Sequence, residues 1–104
     1  MSVEKLIQDG KVAVIYSPGF GAGWSTWNDE YAEDLIFNKD IAQAILDDNQ
    51  DKAKEIAESK YPKAYIGSQE LVIAWLNQGE QFIIKEYDGA ESVRTLKELK
   101  PFTA

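Results

Sequence analysis

Between Lys11 and Ser17 an extended chain carries Val12, Val14 and Tyr16 on one face and Ala13 and Ile15 on the other. Both faces of such a segment need cover, which marks it as a central strand. The period then changes. From Asp29 to Tyr61 it is helical, with Ile41, Ala42, Ile45 and Leu46 forming one stripe and Ala53, Ile56 and Ala57 another. Asn38 and Asn49 stand where N-caps belong, Asp29 to Phe37 adds a short helical turn, and Tyr61-Pro62 ends the second long helix.

Leu71 to Leu76, Gln81 to Tyr87 and Glu91 to Leu96 read as three further strands. Gln78-Gly79 and Asp88-Gly89 separate them as turns, and the first two of these strands are expected to pair as an antiparallel hairpin. The order β-α-α-β-β-β predicts an α+β fold in which helices pack on one face of a mostly antiparallel, four-stranded sheet. At 104 residues, with 44% hydrophobic content and no linker or repeat, residues 1–104 are expected to form a single domain.

The stretch from Pro18 to Asn28 sets Gly19, Gly21 and Gly23 among Phe20, Trp24 and Trp27, too many glycines for the interior of a helix or strand. Glycines let successive N–H groups converge on an anion. Tyr16, Phe20, Trp24 and Trp27 offer stacking faces, and Ser25, Thr26 and Asn28 offer polar groups beside them. The same residues also suit a folded loop whose indoles cap the core. Neither standard nucleotide motif is present: Trp24 occupies the last glycine position of a dinucleotide fingerprint, and no Lys-Ser or Lys-Thr pair follows to complete a phosphate loop.

The chain has no Cys and no His, which removes thiol nucleophiles, imidazole bases and the usual zinc ligands. No catalytic residues and no cofactor are expected. The formal charge of -7 repels nucleic acid polymers and anionic membranes. A small anion remains a suitable ligand, because local donors outweigh a distant, screened charge. The opening residues carry no basic-then-apolar pattern and no apolar run reaches membrane length, so the cytosol is the expected compartment. The acidic groups Asp29-Glu30 with Glu33-Asp34, and Asp47-Asp48 with Asp51, read as solvated charge, and no metal is expected. Arg94, the sole arginine, lies on the last strand near Lys97 and Lys85, where it serves either as an anion clamp or as an edge-strand charge.

Gly21-Ala22-Gly23-Trp24-Ser25-Thr26-Trp27-Asn28, Tyr61-Pro62 with Tyr65 and Gly67, and Glu86-Tyr87-Asp88-Gly89 with Glu91-Ser92 resemble a family of small proteins encoded by tailed bacteriophages. The likeness runs from about Val12 to Val93; Pro18-Gly19-Phe20 and the residues after Arg94 fall outside it. That family is similar to phage anti-defence sponges, which sequester cyclic nucleotide signals of bacterial immunity such as the cyclic dinucleotides of CBASS. The resemblance implies a homo-oligomer in the host cytosol that binds such a signal without cleaving it. Tyr16, Phe20, Trp24 and Trp27 would then stack on bases, with Asn28 beside them. Gly21, Gly23, Ser25 and Thr26 would hold phosphates, and Arg94 would neutralise charge. The alternative is a protein-interaction module that inhibits a host factor through acidic and aromatic surface.

Overall fold

The computed structural model describes residues 4–19, 23–64, 66 and 70–95. Two strands open the chain, β1 (Ile7–Gln8) and β2 (Lys11–Tyr16). Two 3-10 turns follow, Ser25–Trp27 and Asp29–Tyr31, leading into helices α1 (Ala32–Phe37), α2 (Lys39–Leu46) and α3 (Gln50–Lys60). The strands β3 (Val72–Asn77), β4 (Phe82–Tyr87) and β5 (Ala90–Thr95) complete the order. Among the described residues no helix is long and apolar enough to cross a membrane.

The α+β class stands as the sequence indicated, with the strands divided between two sheets. β1, β2 and β3 form one antiparallel sheet with β2 in the middle, while β4 and β5 form a separate two-stranded hairpin. β3 pairs with β2 along its whole length, from Lys11↔Asn77 to Tyr16↔Val72, and the expected β3–β4 hairpin is replaced by this pairing. The physical reason is burial. β3 is partly buried on both faces, like its neighbour, whereas β4 alternates between half-buried and exposed positions and suits an outer layer.

Both tight hairpins turn on the same dipeptide. Asp9-Gly10 joins β1 to β2 with φ of 52° and 76°, and Asp88-Gly89 joins β4 to β5 with φ of 51° and 85°. Positive φ at both central positions matches the twist of the flanking strands. The Asp9-Gly10 turn accounts for β1, a strand absent from the expected β-α-α-β-β-β order.

Each long helix begins on an asparagine. Asn38 Oδ1 accepts the Ile41 N–H at 3.0 Å, and Asn49 Oδ1 accepts the Lys52 N–H at 3.1 Å, each satisfying an otherwise unpaired amide of the first turn. Ala42, Ala44, Ala53 and Ala57 are all buried, and their small side chains let α2 and α3 approach closely. Ile41 joins them in a core with Ala13, Ile15, Leu35 and Leu71. The helices therefore cover the sheet face that bears Ala13 and Ile15. On the opposite face Val12 and Val14 are also buried, and a cleft of about 490 Å³ is lined by them together with Leu76, Phe37 and Phe82. The Gln50 side-chain amide ties α3 to the entry of β3, donating to the Leu71 carbonyl and accepting the Leu71 N–H, both at 2.8 Å.

Candidate functional site

The turn after β2 does gather N–H groups around an anion, and that anion is the protein's own. The Ser17 N–H donates to Glu91 Oε1 at 3.0 Å. Oε2 accepts the N–H groups of Trp24 and Thr26 at 2.8 and 2.9 Å and the Thr26 hydroxyl at 2.6 Å. Glu91 is only 2% exposed, and its own N–H donates to the Ser17 carbonyl at 2.7 Å. A buried carboxylate is tolerable only when its lone pairs are filled in this way. Beside this nest, the Ser17 hydroxyl is the buried side-chain polar atom that has no hydrogen-bond partner among the described residues.

The two tryptophans take opposite roles. Trp24 is 1% exposed and belongs to the core. Its indole Nε1 donates to the Leu35 carbonyl at 2.7 Å, filling one of the acceptors that a helix leaves open in its last turn. Trp27 is 43% exposed, and its Nε1 donates to Glu86 Oε1 at 3.0 Å. The same oxygen accepts the Gly89 N–H at 2.7 Å, so Trp27 lies beside the tip of the β4–β5 hairpin.

These donors explain how two acidic residues can stand directly across the hairpin. Glu86 and Glu91 are register partners on one face, a pairing that is destabilising when bare. Here each carboxylate has its own donors. The Trp27 indole and the Gly89 amide hold the Glu86 carboxyl below the usual carboxylate range. A group whose folded-state value is depressed stabilises the fold while it is ionised and loses that contribution as pH falls through the depressed value. Acid titration is therefore expected to release Trp27 below pH 4.5, the ordinary carboxyl value. The measurement is indole fluorescence of the wild type against Trp27→Phe; a difference signal that stays flat through the acid range would contradict it.

Gly23 is set by close approach. A Cβ there would lie 2.6 Å from Thr26 Oγ1 and 2.6 and 2.9 Å from Trp27 Cδ1 and Cγ. Thr26 is held by Glu91 and cannot give way freely. Gly23→Ala is expected to cost about 1–3 kcal/mol in chemical denaturation.

The residues singled out from the sequence do not converge on one open site. Ser25 and Asn28 are buried, with the Asn28 Nδ2 donating to the Trp24 carbonyl at 2.8 Å. Tyr16 is half-buried at the end of β2, paired with Val72. Arg94 pairs across from Ile83, shares its face with Lys85, and by strand alternation projects away from the face that carries Glu91. Phe20, Gly21, Tyr65, Gly67 and Lys97 lie outside the described residues. The 490 Å³ cleft and a second one of about 690 Å³ between α2 and α3 include no residue of the turn. Among the described residues, no group of three or more acidic side chains is arranged to hold a metal ion.

Glu91 is the residue that sequence reasoning missed. The available signal was alternation along β5, which places Glu91 with Val93 on the inward face and Ser92 with Arg94 on the outward one. A carboxylate at an inward position requires donors nearby. Compared with protein-family models, curated proteins and solved structures, the chain matches none.

Proposed function

We propose that this is a non-catalytic binding protein that recognises another protein through the tip of the β4–β5 hairpin. The observation that carries this reading is exposed aromatic surface on both faces of the tip: Tyr87, 74% exposed between Glu86 and Asp88, on the outward face, and Trp27, 43% exposed against Glu86, on the inward one. Aromatic side chains are favoured interface anchors, since they bring large contact area with few rotatable bonds. The Trp27–Glu86 hydrogen bond fixes one of them in advance, which reduces the ordering cost of binding. In the setting implied by the phage resemblance, the partner is a host factor in the cytosol.

Sequestration of a cyclic nucleotide is the competing reading. It is less well supported because the Thr26 amide and hydroxyl, two of the groups assigned to its phosphates, already hold Glu91, and one of its stacking indoles lies in the core. Capture from host lysate after nuclease and phosphodiesterase treatment separates the two. A stoichiometric protein partner is expected, bound at least about tenfold more weakly by Tyr87→Ala and by Trp27→Ala while the melting temperature of Tyr87→Ala is unchanged. A protein partner indifferent to both substitutions overturns the assignment of the tip. Saturable binding of a cyclic di- or trinucleotide, unaffected by Tyr87→Ala, replaces it with the sponge.

A further inference from the structure

We propose that the nest formed by Ser17, Trp24 and Thr26 is a receptor for a phosphate-type oxyanion, which enters in exchange for the Glu91 carboxylate when the β4–β5 hairpin undocks. This inference does not depend on the hairpin tip binding a protein.

The donor set is that of an anion site made from neutral groups. Three backbone N–H groups and the Thr26 hydroxyl converge on one carboxylate, and among the described residues no Lys or Arg takes part. Main-chain amides brought together by a turn, here from positions 17, 24 and 26, act on an anion through their converging dipoles. The occupancy is unequal: Oε2 receives three of the four hydrogen bonds and Oε1 receives one. The Ser17 hydroxyl belongs to the residue whose N–H reaches Oε1, it is buried, and it has no partner among the described residues. A buried hydroxyl left unpaired is costly and calls for an acceptor. A planar carboxylate has two oxygens and leaves this donor out. A tetrahedral phosphate has more oxygens, spread out of one plane, and so suits a set of five donors better than the resident group.

The resident group sits on the element most easily withdrawn. β4 and β5 form a sheet of their own, and a lone two-stranded hairpin is marginally stable without its contacts. Besides Glu91, those contacts include the edge-to-face pair of Phe37 and Phe82, with ring centres 6.0 Å apart, and the Trp27–Glu86 bond. Undocking separates β4–β5 from the β1–β2–β3 sheet, with which it shares no ladder among the described residues. It also breaks the bond that orients Trp27, so occupation of the nest by a phosphate changes the surface presented at the hairpin tip.

The test removes the resident carboxylate and offers replacements. Glu91→Ala is expected to melt below the wild type and to regain thermal stability in inorganic phosphate at about 10 mM, with acetate less effective. Adding Ser17→Ala should weaken phosphate binding about tenfold and leave the acetate effect in place. Adenosine monophosphate in place of inorganic phosphate distinguishes a monoester ligand from the free ion. For the wild type, the Trp27 indole and Glu91 amide resonances should shift together on titration with either. A folded Glu91→Ala that ignores phosphate overturns the proposal, as does equal rescue by acetate and phosphate that is insensitive to Ser17→Ala. If Glu91→Ala does not fold even in phosphate, the wild-type titration decides: unmoved resonances at about 50 mM phosphate overturn it.

Discussion

Glu91→Ala is expected to be the most damaging single truncation of a polar side chain in this protein, lowering the free energy of unfolding by about 3–5 kcal/mol in urea titration. The change strips acceptors from two buried amides and from the part-buried Thr26 amide and hydroxyl at once. Each donor left unpaired carries a desolvation penalty, and the hydrogen bonds lost are to a charged group, roughly twice as strong as neutral ones. Glu91→Gln keeps one acceptor oxygen but turns an NH₂ toward donors, so about half the loss is expected. A typical domain has only about 5–15 kcal/mol in total, so this single truncation removes a large fraction of it. A loss below about 1 kcal/mol would show that the turn holds its shape without the carboxylate.

Trp24→Ala should act on a comparable scale, about 3–5 kcal/mol, for a different reason. It removes a 1%-exposed indole from the core beside Leu35, leaving a cavity and depriving the Leu35 carbonyl of its donor at 2.7 Å. Trp24→Phe separates the two parts. It retains part of the packing volume and loses the indole N–H, so a smaller cost of about 1–3 kcal/mol is expected. Equal losses for the alanine and phenylalanine variants would assign the whole effect to the hydrogen bond. Trp27→Ala is the contrast within the same turn, a half-exposed ring whose removal should cost far less stability.

Local chemistry was readable in the sequence where one residue determines it. Asn38 and Asn49 cap their helices through their own side chains, as their positions before the apolar stripes suggested. Asp88-Gly89 turns a hairpin because only such a pair accepts positive φ twice in succession with ease. Partner choice was not readable. The apolar run of β3 says that both its faces are covered, but alternation fixes which face a side chain takes and not which strand lies beside it. β3 therefore joined β2 and not β4. The turn shows the same division. Glycines and amides near Ser17 and Trp24 suggested converging N–H donors, and the group they meet in the fold is a carboxylate 67 to 74 positions further along the chain. Local composition carries no information about such a contact. Trp24 and Trp27 are only three residues apart in similar surroundings, and their burial differs because Leu35 and Glu86 offer acceptors in different places.

The 74-residue span between Ser17 and Glu91 bears on how the polypeptide is born. Emerging N-terminus first, β2 leaves the ribosome with both faces bare, long before β3 appears to pair with it and before Glu91 arrives to quench the amides that follow. Contacts between such distant positions form late and slowly, since the intervening segment must first be closed into a loop. A nascent chain stalled ahead of β3 therefore carries a sticky, half-paired ribbon at its leading end, the kind of stretch that chaperones engage and that aggregates when they do not.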